Sequence, residues 1–159
     1  MKTTAHLTFL SHFVICLGCA GIGFFAYEAG VLQAIYVSDQ SMMTSVIGTL
    51  FVGSAIYLGS LAWIAGRRGG EPPEDLSSAR SLPSSDYGHL AERLCVMAGF
   101  VGTAIGLSLQ AKALAGGATS FTALATSLYT TACGGVAAAA TAILTFNLEA
   151  GIRRARRQS

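Results

Sequence analysis

Long stretches without a charged residue divide this chain, and they constrain its fold more than any other feature. The stretches are bounded by Lys2 and Glu28, by Asp39 and Arg67, by Arg93 and Lys112, and by Lys112 and Glu149. Each can hold a helix that crosses a bilayer, which needs about 20 predominantly apolar residues. Because the runs are apolar without alternation, they predict helices rather than the strands of a barrel.

The composition supports a membrane location. Hydrophobic residues make up 52% of the chain and charged residues 11%, whereas a soluble domain carries roughly 25% charged residues. We therefore expect an all-α membrane protein with about four transmembrane helices, near residues 9–27, 43–66, 93–114 and 121–148. The first helix either ends near residue 27 or continues through the next apolar stretch to residue 37.

Lysine and arginine determine the expected orientation. All of these residues except Lys112 lie at the N-terminus, between Arg67 and Arg93, or in the C-terminal tail. Because positive charge marks cytoplasmic segments, the connection between the second and third helices and the C-terminus are predicted to be cytoplasmic. With four helices the N-terminus is cytoplasmic too. A cleaved signal peptide would leave three helices, but the long apolar stretch after Lys2 favours an uncleaved helix.

The chain divides into four segments. Residues 1–66 are predicted to form a transmembrane helix pair, and residues 67–92 a flexible cytoplasmic loop that contains all 3 prolines and few large apolar side chains. Residues 93–152 are predicted to form a helix hairpin. Residues 153–159 form a basic tail suited to anionic lipid headgroups, and nucleic-acid binding is not expected.

The residue types that usually carry chemistry are isolated in this sequence. Cys16 and Cys19 form a C-x-x-C pair, but no second pair with zinc spacing accompanies them. With Cys95 and Cys133 they fall inside predicted helices, where cysteine packs as a small apolar residue. We recognise no nucleophile–base set, phosphate loop or metal cluster. The chain is therefore not expected to be an enzyme or to hold a metal or organic cofactor.

Small and hydroxyl residues share one face of the third and of the fourth predicted helix, because they recur every three or four residues. The third helix carries Gly99, Gly102, Thr103, Gly106 and Gln110, and the fourth carries Thr131, Gly135, Ala138, Ala142 and Thr145. Small residues let helices approach closely, and hydroxyls can bond between helices. From periodicity alone, tight packing within one bundle and the lining of a pore both remain open.

Two segments of this hairpin resemble motifs of the MotA/TolQ/ExbB proton-channel family. Residues 102–107, with the sequence GTAIGL, resemble the G-T-V-x-G-L/I motif of that family. Residues 123–135, with the sequence ALATSLYTTACGG, resemble its following A-x-A-L-x-T-T-A-x-G-L motif. The order and spacing of the motifs also fit, and the resemblance covers residues 93–152. Four helices with both termini inside is the arrangement of the flagellar stators, and three helices that of TolQ and ExbB.

The resemblance implies a pore-forming subunit in the bacterial inner membrane. In such complexes five copies surround two helices of a single-helix partner of the TolR, ExbD or MotB type, which carries a membrane aspartate. Thr103 and Thr131 would face each other on the inner wall of the pore. Protons are the expected coupling ion, with sodium as the minority option. The implied pore-lining residues are Gly99, Thr103, Gly106, Gln110, Thr126, Thr131, Gly135, Ala138 and Thr145.

This chain departs from the family at two positions that bear on mechanism. Thr126 stands where the TolQ/ExbB branch has a glutamate, and Ala140 stands where that branch has a proline. A carboxylate in the membrane normally marks an ion path, and the hairpin has none deep in its helices. The proton carrier is therefore expected from the partner. The alternatives are a non-conducting scaffold and a small transporter, although a transporter usually shows broken helices or midplane ionisable residues.

Overall fold

The computed structural model describes residues 2–39, 41–67, 83–117 and 121–156, and within these ranges every regular element is a helix. The helices are α1 (Lys2–Glu28), α2 (Val31–Ser38), α3 (Met43–Arg67), α4 (Pro83–Ala115) and α5 (Phe121–Arg156). Four of them contain segments long and apolar enough to cross a membrane: Phe9–Glu28, Met43–Ile64, Asp86–Ala115 and Phe121–Arg153. Within the described ranges, the prediction of an all-helical chain with about four helices able to cross a membrane is confirmed.

The first apolar region is not one continuous helix. α1 ends at Glu28, and Gly30 adopts a left-handed backbone conformation with φ of 71°. Glycine reaches that conformation without the penalty that a Cβ atom brings. The chain turns at this point, and the second apolar stretch forms the separate short helix α2.

The third spanning helix begins earlier than its apolar residues indicated. α4 begins at Pro83, about ten residues before the predicted start at 93. Proline suits the first turn of a helix, because the N–H that it lacks would have no partner there. Residues 83–92 of the predicted cytoplasmic loop are therefore helical, and residues 68–82 lie outside the described ranges.

The helices α4 and α5 form an antiparallel hairpin held at close distance by glycine. A Cβ atom on Gly102 would lie 2.6 Å from the Cβ of Thr130, and one on Gly134 would lie 2.8 Å from the Cys95 carbonyl oxygen. Real Cβ atoms do not make contacts this short, so larger residues at these positions would push the helices apart. Glycine therefore sets the spacing of the hairpin.

Two apolar clusters attach α3 to the hairpin. One consists of Ile47, Cys95, Ala137 and Ala138, and the other of Leu58, Ala62, Leu144 and Leu148. Because Ile47 and Ala62 of α3 pack against successively later residues of α5, these two helices run parallel. The clusters also set the axial register of α3 against the hairpin.

α1 packs against α3 and α5 through polar contacts as well as apolar ones. His12 is 4% exposed, and its Nε2 donates to the Ala55 carbonyl oxygen at 3.3 Å. Ser11 donates to Oδ1 of Asn147 at 3.1 Å. These contacts tie α1 to both neighbouring helices within the apolar part of the bundle.

Asp39 organises the connection between α2 and α3. Its carboxylate accepts hydrogen bonds from the Ser41 amide at 3.0 Å, the Ser41 hydroxyl at 2.6 Å and the Thr44 amide at 2.8 Å. Burial raises the pKa of Asp39, but the hydrogen bonds from Ser41 and Thr44 outweigh that effect and hold the pKa below its ordinary value. Asp39 therefore satisfies amide groups at the start of α3 that have no partner within the helix.

Candidate functional site

The hydroxyl groups of Thr103 on α4 and Thr131 on α5 are in direct contact. Thr103 Oγ1 also lies 2.9 Å from the Gly99 carbonyl oxygen, and Thr131 Oγ1 lies 2.8 Å from the Ser127 carbonyl oxygen. Because each hydroxyl carries one hydrogen, one threonine donates to the other while the second donates to a carbonyl oxygen of its own helix. Thr103 is half-buried and Thr131 is exposed. The pair therefore joins the two helices on a side of the hairpin that α1 and α3 do not cover.

Ser127 extends this polar contact towards the inside of the hairpin. Its hydroxyl donates to the carbonyl oxygens of Thr103 at 3.3 Å and Ala123 at 3.2 Å. In the other direction, Thr103 lies 3.4 Å from the Ser127 carbonyl oxygen. Sequence reasoning did not select Ser127, although it lies one turn before Thr131 within the second motif. Its position in the motif was visible in the sequence. The spacing of residues alone does not reveal that Ser127 is buried and packs on Gly106.

Three more of the residues predicted for the pore, namely Gly99, Gly106 and Gln110, lie on or near the contact between α4 and α5, whereas a fourth, Gly135, lies away from it. Gly99 and Gly106 are buried against α5, where a Cβ atom on Gly99 would lie 3.2 Å from the Thr130 carbonyl oxygen. Gln110 is half-buried, and its Oε1 finds no hydrogen-bond donor among the described residues. Gly135 is exposed, with no atom within 4 Å of the Cβ position. Of these, Gly135 shares the open face with Thr131.

The other predicted residues lie inside the bundle of the single chain. Thr126 and Thr145 are fully buried, and Ala138 belongs to the apolar cluster around Ile47. Thr126 donates to the Thr122 carbonyl oxygen at 3.0 Å, and Thr145 donates to the Thr141 carbonyl oxygen at 2.9 Å. The stripe from Thr131 to Thr145 thus passes from exposed to buried along α5. A seven-residue spacing drifts by about 20° per repeat around a straight helix, and α3 covers the far end of the stripe.

Charged side chains lie at both ends of the hairpin, with none between Arg93 and Lys112 or between Lys112 and Glu149. At one end, His89 Nε2 lies 3.1 Å from Oε1 of Glu149, and His89 Nδ1 lies 3.6 Å from Oε2 of Glu92. Arg153 bonds the other carboxylate oxygen of Glu149 at 3.1 Å. Lys112 is exposed near the opposite end. The hydroxyl pair therefore has no ionisable carboxylate of its own chain close to it on either helix.

The described ranges contain no group of three or more His, Cys, Asp or Glu side chains arranged to hold a metal ion. The chemistry available around Thr103 and Thr131 is that of hydroxyl groups, which can donate to a carboxylate or a water molecule, and of carbonyl oxygens, which can accept from water or coordinate a cation.

Comparisons with protein-family models, with curated proteins and with solved structures gave no match to this chain. The resemblance to the MotA/TolQ/ExbB family rests on the two motifs of the hairpin alone.

Proposed function

We propose that this chain is the pore-forming subunit of a proton-driven motor in the bacterial inner membrane. The observation that carries the proposal is the hydroxyl contact between Thr103 and Thr131 on the open side of the hairpin. Both residues belong to the two motifs that resemble the MotA/TolQ/ExbB family. The proposed topology has both termini in the cytoplasm, in keeping with the distribution of lysine and arginine.

The position of the hydroxyl pair supports a path that several chains complete together. Thr131 faces away from its own chain, and a polar group in direct contact with lipid loses its hydrogen bonds with water. Neighbouring chains or a partner helix would cover it. Five copies around two partner helices would place the Thr103–Thr131 pairs in a ring on the inner wall.

The side-chain chemistry supports a proton carrier that belongs to the partner. Hydroxyl groups both donate and accept hydrogen bonds, so they can solvate a carboxylate in its charged and in its protonated form. No carboxylate of this chain lies between Arg93 and Glu149. An aspartate on a single-helix partner would supply the titrating group, and its alternate protonation would drive stepwise rotation of the partner against the ring.

The alternative is a non-conducting scaffold that uses the same residues for packing. The full burial of Thr126, Thr130, Thr141 and Thr145 fits that alternative, because these threonines pack within one chain. The exposed Thr131 is not explained by packing within one chain, because it faces away from the other helices of that chain.

Subunit stoichiometry tests the proposal. The tagged chain would be purified from membranes of its own organism and its mass measured by native mass spectrometry. We expect five copies together with two copies of a single-helix protein that carries an aspartate in its membrane segment. A monomer, or a closed oligomer of another number without such a partner, would favour the scaffold.

A further inference from the structure

His12 lies in the contact between α1 and α3 with one of its ring nitrogens unpaired. The residue is 4% exposed, and its Nε2 donates to the Ala55 carbonyl oxygen at 3.3 Å. The other ring nitrogen, Nδ1, is buried and finds no hydrogen-bond partner among the described residues. A neutral imidazole has one N–H group and one bare nitrogen. The contact therefore suits the neutral ring with its proton on Nε2.

The space around the ring is closed by α3 and by the apolar part of the bundle. A Cβ atom on Gly59 would lie 3.0 Å from Nε2 of His12, so the imidazole packs directly on a glycine of α3. One turn later on α1, Cys16 packs against the apolar cluster that contains Leu58. A proton added at Nδ1 would bring a donor and a positive charge into a place where the described residues offer no acceptor.

The helices that pack against His12 supply no free anion for a protonated ring. α3 carries no charged residue between Asp39 and Arg67, and its one tyrosine packs against α4. On α5 the ionisable residue nearest to this contact is Glu149, whose carboxylate oxygens already bond a histidine of α4 and an arginine of α5. The titratable groups on α1 within two turns are His6, Cys16 and Cys19.

His12 lies about one turn inside the membrane-spanning segment of α1. That segment begins at Phe9, and this end of α1 is cytoplasmic in the proposed topology. A histidine near the end of a spanning helix can turn its polar tip towards the membrane surface when no neighbouring helix holds it. A ring released from α3 would therefore reach water, where an imidazole takes up a proton near about pH 6.5.

The contacts next to His12 form one end of the docking surface of α1. Ser11 donates to Oδ1 of Asn147 on α5 at 3.1 Å, and the rings of Phe9 and Trp63 pack edge to face with centroids 4.9 Å apart. Both contacts lie within one turn of His12 on α1. A charge at His12 would therefore act on the contacts that hold α1 against α3 and α5.

We propose that His12 is a proton-sensitive switch for the docking of α1. The neutral ring holds α1 against its neighbours, whereas the protonated ring favours the released helix, in which the charge is solvated. Release takes up one proton, so the ratio of released to docked chains rises up to tenfold for each pH unit below about 6.5. The switch itself follows from the packing of His12. Its use rests on the proposed function, because a motor that admits protons would lose the docking of α1 as the cytoplasm acidifies.

Trp63 reports the docking of α1 in the unaltered protein. It is the only tryptophan of the chain and packs on Phe9 of α1, so its fluorescence should change when α1 leaves. The full chain in detergent would be heated at pH values between about 8 and about 5, a range above the titration of an exposed aspartate near about 3.9. Trp63 emission and helical circular dichroism would be followed together.

Two variants assign the effect to His12. His12→Gln keeps an amide that can donate to the Ala55 carbonyl oxygen, and His12→Phe keeps a ring of similar size, but neither side chain takes up a proton. His89→Gln is the matched control, because the side chain of His89 is 51% exposed and belongs to α4. The equilibrium constant of the Trp63 transition would be compared among these chains at one reference temperature.

We expect this equilibrium constant to rise about thirtyfold from pH 8 to pH 5 in the wild type and in His89→Gln. In both His12 variants it should change less than threefold. At pH 5 the Trp63 transition of the wild type should precede the loss of helical circular dichroism, because a released α1 is still a helix. The inference would be overturned by a wild-type constant that does not depend on pH, by equal changes in the His12 variants, or by coincident transitions at every pH.

The switch and the motor are separable in their outcomes. A dependence on His12 in a protein with the wrong subunit count would keep the switch and remove the motor. The expected subunit count with Trp63 transitions that do not depend on pH would do the reverse.

Discussion

Thr130 occupies the space that a side chain on Gly102 would need. A Cβ atom on Gly102 would lie 2.6 Å from the Thr130 Cβ and 2.7 Å from its hydroxyl oxygen. Thr130 is fully buried and donates to the Thr126 carbonyl oxygen at 2.9 Å, so it cannot move aside without losing that bond. This contact keeps α4 and α5 close enough for Thr103 and Thr131 to meet.

Gly102→Ala is therefore expected to destabilise the protein. Overpacking of a tight contact costs about 1–3 kcal/mol, which exceeds the gain of about 1 kcal/mol from replacing glycine by alanine within a helix. Thermal unfolding in detergent would measure the change. Gly135→Ala is the matched control, because nothing lies within 4 Å of its Cβ position. An unfolding midpoint of Gly102→Ala equal to that of the wild type would show that this contact does not set the spacing between α4 and α5.

His12 is expected to contribute to the docking of α1. His12→Ala removes a buried ring and its hydrogen bond to the Ala55 carbonyl oxygen, which we expect to cost about 2–4 kcal/mol. Phe13→Ala is the control, since the neighbouring Phe13 is 54% exposed and should matter little in detergent. Similar unfolding midpoints for the two variants would contradict the packing described for α1.

The cap formed by Asp39 predicts a specific dependence of stability on pH. Because the pKa of Asp39 is lower in the folded chain than in the unfolded chain, its contribution is fully present above the unfolded value of about 3.9. The contribution is lost as the pH falls from there through the folded pKa. Unfolding midpoints of the wild type and of Asp39→Asn would be compared between about pH 2 and pH 6.

The difference between the two proteins should be largest near pH 6 and should shrink at low pH. At the higher pH we expect Asp39→Asn to lose up to about 1 kcal/mol, because asparagine remains a capping residue. A difference that stays constant over the whole range would show that the charge of Asp39 does not contribute to the cap.

The sequence located the long helices because the absence of charge over about 20 residues has one main physical cause in a chain of this composition, namely lipid. α3, predicted at 43–66, is observed at Met43–Arg67. The break at Gly30 and the start of α4 at Pro83 were harder to predict. Gly30 has several glycine neighbours in similar apolar surroundings, and a segment rich in proline and serine resembles a loop even where a helix begins in it.

The candidate site was only partly predictable for a related reason. The motifs identified Thr103 and Thr131, whose hydroxyls meet in the structure, while their part in an ion path stays a prediction. The burial of Thr126, Ala138 and Thr145 depends on which side of α5 the helix α3 covers. Hydropathy cannot reveal this, because a helix in a membrane is apolar towards lipid and towards its neighbours alike.

Proton flux through the complex tests the central claim most directly. The purified complex would be reconstituted in vesicles that contain a pH-sensitive dye, and a proton gradient would be imposed. Thr131→Val keeps the shape of the side chain but removes the hydroxyl that contacts Thr103. Thr49→Val is the matched control, because Thr49 is an exposed threonine that also donates to the carbonyl one turn back, at 2.9 Å. We predict that Thr131→Val lowers the flux at least tenfold with unchanged subunit stoichiometry, whereas Thr49→Val conducts normally; full flux through Thr131→Val would contradict the account.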